Sequence, residues 1–160
     1  MDHPSLGAPP RDLRAGWPAA AGRLRAARSR IAARALEIAL DGDPTIRDRH
    51  GELGLRKLLR DTNVLLDRLE IALASGDPAV MREYAEWVAP IYRRRRVPLD
   101  DMIRLADAIR RAAGSVLVPD EQPPADLALD AAIAAFRAHR RLAGDARKRN
   151  PILSFLYKGA

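Results

Sequence analysis

Apolar residues recur at three- and four-residue intervals through most of this chain. The longest uninterrupted series is Leu55, Leu58, Leu59, Thr62, Leu65, Leu66, Leu69, Ala72 and Leu73, the spacing of one face of an α-helix. It predicts a central helix, and Val64 and Ile71, off the main stripe, widen it enough to meet more than one neighbour. Ser75 and Gly76 end that helix, and Asp77 followed by Pro78 signals the cap and first turn of the next. The third helix carries Val80, Tyr84, Trp87, Val88 and Ile91 inward, with Pro90 predicting a kink or an early stop because it lacks a donor and crowds Glu86. Pro98 restarts a fourth helix through Leu99, Met102, Ile103, Ala106, Ile109, Ala113, Val116 and Leu117. Upstream, Leu24, Ala27, Ile31, Ala35 and Ile38 predict a first helix from about Pro18 to Leu40. Gly42, Asp43 and Pro44 close it, and a polar connection through His50 follows. Downstream, Pro119, Pro123 and Pro124 mark a loop. Leu129, Ala132, Ile133 and Phe136 then predict a fifth helix from Ala125 to about Arg149, and Asn150 with Pro151 opens a short apolar end, Ile152 to Tyr157.

The expected fold is all-α, a single helical bundle of about five main helices plus a short C-terminal helix. Residues 1–17, rich in Pro and Gly, are expected to be a disordered tail, 18–149 the bundle and 150–160 an apolar segment. At 160 residues the chain can bury one substantial core. An aromatic content of only 4% suits closely packed, alanine-rich helices better than a β-sandwich. The absence of cysteine excludes disulfides, thiolate catalysis and cysteine-ligated metals. No run approaches the roughly 18 to 20 apolar residues of a membrane span, and no signal peptide is visible, so the expected location is cytoplasmic.

Charge adds candidate surfaces. The formal net charge is +7, carried almost wholly by arginine, since lysine stands only at positions 57, 148 and 158. Such a balance favours acidic partners. Arg93, Arg94, Arg95 and Arg96 could clamp phosphates, although cations at the end of the third helix also complement its dipole. A second basic stretch, Arg147, Lys148 and Arg149, leads into an apolar plug with Phe155, Leu156 and Tyr157, suited either to a partner's groove or to capping its own bundle. His3, His50 and His139 lack the pairing of a helical zinc site, which leaves no metal and no cofactor as the expectation. Tyr84, Trp87 and His139 are the residues a ligand pocket in the bundle would use. Asp100 and Asp101 are explained as favourable charges in a helix's first turn. No nucleophile with a base, no P-loop and no dinucleotide fingerprint is present, so an enzyme is not expected.

Leu65-Leu66-Asp67-Arg68-Leu69, Ala74-Ser75-Gly76-Asp77-Pro78, Tyr84-Ala85-Glu86-Trp87 and Val97-Pro98-Leu99-Asp100-Asp101-Met102-Ile103 together resemble the N-terminal helical domain of RsbT co-antagonist (RsbRD-type) stress-signalling regulators. A weaker similarity is to the helical cap domains that precede cobalamin-binding domains. The first resemblance implies a sensory or scaffolding helical bundle of the kind that precedes an output domain. The expected function is a non-enzymatic bacterial signalling module that works through protein–protein contacts and self-associates through exposed parts of helices two and four. Two alternatives stand beside it: a nucleic-acid-associated basic protein using the same arginines, and a small-ligand or tetrapyrrole-binding helical sensor.

Overall fold

A computed structural model of the chain describes residues 16–146. Among these residues the fold is all-helical: α1 (Pro18–Gly42), α2 (Thr45–Ser75), α3 (Ala79–Arg94), α4 (Leu99–Ala113) and α5 (Gln122–Ala143), with a 3-10 turn at Pro119–Glu121. The expected N-terminal tail falls outside the described residues up to position 15. So do Arg147, Lys148, Arg149, Phe155, Leu156, Tyr157 and the whole segment 150–160.

The packing follows from side-chain size. Ala20, Ala21, Ala32, Ala35 and Ala39 are all buried on α1, so that helix lies close against α2 and α4, with Leu24 and Ile31 filling the space between. The central stripe of α2 is buried at Leu58, Leu65, Leu66, Leu69 and Leu73, as its periodicity predicts. α3 packs chiefly on α5, where the rings of Tyr92 and Phe136 stand 6.3 Å apart. Buried acids hold the arginine-rich flank of α1: Glu70 accepts from Arg28 at 2.6 and 2.5 Å and from Arg25 at 3.3 Å. Glu121 accepts from Arg23 at 2.8 Å.

The structure differs from the sequence expectation in several places. The connection through His50 is helical: residues 45–50 wind as the first stretch of α2, and Gly51 (φ 61, ψ −178) breaks the direction before the helix resumes. Asp43 starts this stretch by accepting from the Thr45 amide at 3.1 Å and its hydroxyl at 2.5 Å, and Ile46 anchors it in the core. One apolar residue in six shows no periodicity, which hides the turn in the sequence. Beyond the kink, Gly54 is equally constrained, because a Cβ there would meet the His50 Cβ at 2.7 Å.

Trp87, expected inward, is 66% exposed. The buried face of α3 is Met81, Ala85, Val88, Ala89 and Tyr92, and Trp87 lies about 100° round the helix from Val88. Pro90 does not stop α3, which continues to Arg94, since a single missing donor is tolerated when both flanks are packed. α4 ends at Ala113 rather than Leu117, and α5 begins at Gln122 and ends at Ala143 rather than spanning Ala125 to Arg149. Pro123 and Pro124 sit in its first turn, where proline lacks only donors that would be unpaired anyway.

The Gly51 backbone lies in a region that side chains almost never adopt. Nothing stands within 4 Å of a Cβ built there, so Gly51→Ala tests backbone strain alone. It is expected to lower the unfolding free energy by about 1 to 3 kcal/mol, measured by urea denaturation followed by circular dichroism.

Candidate ligand cleft at the helix kink

The kink in α2 faces the turn between α3 and α4, and two adjoining clefts open there. The first, about 420 Å³, is lined by Arg49, His50, Leu53, Gly54, Lys57, Leu58, Arg95, Arg96 and Val97. The second, about 410 Å³, is lined by Arg49, His50, Arg93, Arg96, Pro98, Asp145 and Ala146. Arg49, His50 and Arg96 belong to both walls. Arg96 is also the one non-glycine residue with positive φ (58°) among the described residues, so the turn that presents it is held in an uncommon backbone conformation.

The floor is a charge network. Asp101, 1% exposed, accepts from Arg49 at 2.7 Å and lies 2.8 Å from His50 Nε2. Arg49 also reaches Asp43 at 3.1 Å. Burial pushes the Asp101 carboxyl up, but the hydrogen bonds from His50 and Arg49, with the Arg49 charge, more than reverse this and hold it below its usual range. The hydroxyl of Thr45 and the Arg49 guanidinium hold Asp43 at about 2 against the opposing effect of burial. The helix-start explanation of Asp101 is therefore incomplete: this carboxylate ties the kinked stretch of α2 to α4.

Asp61 has a different environment. It lies almost one turn beyond Leu58 and pairs with Arg95 at 3.4 Å; Leu58 and Arg95 both line the first cleft. The oxygen that faces Arg95 is the buried Oδ2, in an ion pair that falls short of a well-formed hydrogen bond. Burial raises the Asp61 carboxyl above its usual range, with Arg95 and Arg60 pulling the other way.

Of the sequence-expected site residues, Arg93, Arg95 and Arg96 come together at the clefts, whereas Arg94 lines neither. Among the described residues Arg93, Arg94 and Arg96 form no ion pair, whereas Arg95 pairs with Asp61 and lies over the Tyr92 ring at 5.8 Å. The expected pocket of Tyr84, Trp87 and His139 is not the cleft. Tyr84 and Trp87 form an aromatic pair 6.2 Å apart on α3, and neither they nor His139 line the two cavities. Sequence reasoning passed over Arg49, His50, Lys57, Asp61 and Asp101 as site residues. For the two acids a signal existed: Asp61 shares an apolar stripe with Leu65, Leu69 and Ala72, and Asp101 one with Leu105, Ala108 and Ala112.

No helix among the described residues is long and apolar enough to cross a membrane, and no cluster of His, Cys, Asp and Glu among them could hold a metal ion. Comparison with curated proteins finds no match. A family model described as phycobilisome protein matches residues 18–136, from the start of α1 to the core phenylalanine of α5. That match overturns the expected membership of the RsbT co-antagonist regulators, and with it the signalling and stress-response reading. The residues behind that resemblance are caps, a Gly-Asp-Pro turn and core positions, which different helical families share for the same physical reasons. The five-helix architecture is consistent with the globin-like fold of the matched family, and over nearly three quarters of its length the chain belongs to the phycobilisome protein family.

Proposed function

We propose that this protein holds an anionic linear tetrapyrrole, without a covalent bond, in the basic cleft at the α2 kink. The phycobilisome family is one of light-harvesting, bilin-binding proteins that are not enzymes, which favours the tetrapyrrole-binding alternative over signalling. The observation that carries the reading is the joining of Arg49, Lys57, Arg95 and Arg96 with Leu53, Leu58 and Val97 around one cavity. A bilin supplies complementary groups: propionate carboxylates for the cations and an apolar conjugated body for the leucines. The cleft volumes fall within the roughly 300 to 1,000 Å³ of small-molecule sites. When bound, such a pigment supplies absorption of visible light. The chain's own residues orient it, neutralise its carboxylates and exclude water from one face.

With no cysteine anywhere in the sequence, a thioether to the pigment cannot form. Binding is then exchangeable, which suits a carrier or sensor of pigment better than a permanent antenna. Members of the family form oligomers, and the reading carries self-association in the aqueous phase with it.

The test is titration of the purified full chain with biliverdin, followed by absorption and induced circular dichroism. A saturable change at one pigment per chain is expected, with all pigment released from the denatured protein on gel filtration. Reversing two cleft charges, Lys57→Glu with Arg96→Glu, is expected to weaken binding about tenfold or more. Absence of any saturable signal overturns the reading, as does binding that the charge reversal leaves unchanged.

A further inference from the structure

The second cleft already contains a carboxylate, and it belongs to the chain itself. Beyond Ala143 the backbone turns at Gly144 (φ 75) and brings Asp145 back to the start of α4. Its Oδ1 accepts from the Leu99 amide at 2.6 Å and its Oδ2 from the Asp100 amide at 3.3 Å. The wall around it carries Arg49, His50, Arg93 and Arg96. Arg49 and His50 are committed to Asp101, whereas Arg93 and Arg96 have no ion pair among the described residues. The cavity thus offers two free guanidinium groups and two helix-terminal N–H donors to one internal anion, in a space of about 410 Å³ that a single aspartate does not fill.

From this arrangement we infer that the second cleft is a carboxylate subsite whose internal occupant, Asp145, competes with a carboxylate of the ligand. The inference rests on the proposed function for the identity of that ligand, a tetrapyrrole bearing propionates, but the subsite itself rests on the cavity and its cations. Arg96, in both walls, is placed to hold the ligand where it passes from one cleft to the other. Arg93, which lines only the second, then acts on the carboxylate alone. Displacing Asp145 frees it from the α4 amides, so ligand entry is coupled to release of the Asp145–Ala146 stretch from the start of α4. α5 itself stays tied to α4 by the Arg140–Asp100 and Arg110–Asp130 ion pairs and by its packing.

Asp145→Asn removes the competing charge while keeping an oxygen that can accept from the α4 amides, because asparagine caps helices about as well as aspartate. Two readouts separate the subsite from the pigment reading. The first is titration with propionate alone, following the Leu99 and Asp100 amide resonances in the full chain. Saturable shifts are expected, at about threefold lower concentration in Asp145→Asn and lost in Arg93→Ala with Arg96→Ala. Silence of both amides in Asp145→Asn overturns the subsite, whatever the pigment does. The second is biliverdin against its dimethyl ester: Asp145→Asn is expected to tighten binding of the diacid about threefold and leave the ester unchanged. Equal tightening of both overturns the competition. If propionate shifts the amides while neither pigment binds, the subsite stands and the tetrapyrrole reading fails.

Discussion

Replacing Asp101 by alanine is expected to lower the unfolding free energy by about 3 to 5 kcal/mol, because it takes from a buried arginine the nearer of its two carboxylates. The Arg49 side chain is only 8% exposed and Asp101 1%, so water cannot replace the lost carboxylate. His50, 10% exposed, loses the same acceptor. Asp43 still reaches Arg49, which sets the lower end of the range. The measurement is urea denaturation at neutral pH, and a loss below about 1 kcal/mol would show that the kinked stretch of α2 is held by packing of Ile46 alone. The network also has a pH signature. Asp43, whose pKa lies at about 2 in the folded protein against an ordinary 3.8, and Asp101, also lowered, are both easier to ionise folded than unfolded. Their contribution is therefore complete above the unfolded value and is lost as pH falls from about 4 towards 2. Asp101→Ala is expected to flatten that acid-side decline, measured as the unfolding midpoint against pH.

A loss of similar size, about 3 to 5 kcal/mol, is expected for Phe136→Ala. Phe136 is fully buried, and its ring is the partner of Tyr92 across the contact between α3 and α5. Truncation removes apolar surface from the core and leaves a hole flanked by a tyrosine whose hydroxyl already lacks a partner. The effect reaches the cleft, because Tyr92 lies under Arg95 and Arg95 lines it. Thermal unfolding followed by circular dichroism gives the stability change, and Phe136→Leu should recover most of it by refilling the volume. Equal losses for the two variants would point to disturbed helix geometry instead of a cavity.

The bundle was legible because its evidence is local. Leu58, Leu65, Leu66, Leu69 and Leu73 repeat with the helical period, and all are buried. Asp77 accepts from the Ala79 amide at 2.9 Å, the role its place before Pro78 implies. Legibility declined where a residue's partner is distant in sequence. Trp87 shares the helical spacing of Val80, Tyr84 and Ile91, yet the face that α3 buries runs through Val88 and Tyr92, the latter against Phe136 of α5. The run from Arg93 to Arg96 was visible as charge, but its division was not: Arg95 pairs with Asp61 on α2, Arg94 lines neither cleft, and Arg93 and Arg96 border them. The acids that organise the site sat on apolar stripes, where a charged residue needs a partner, and that anomaly was available to periodicity alone.

Helix number, the main buried faces and the exclusion of cysteine chemistry follow from the order of residues, since apolar period, proline position and composition act over a few turns of one chain. The site is different in kind. Arg49 and Asp101 are 52 positions apart and Leu99 and Asp145 are 46 apart, and nothing in either neighbourhood specifies the other. Only when α2 bends at Gly51 and the α3–α4 turn closes opposite it do these charges share a cavity. A long-range pairing depends on the relative placement of whole helices, which the core decides collectively and no short stretch of sequence encodes.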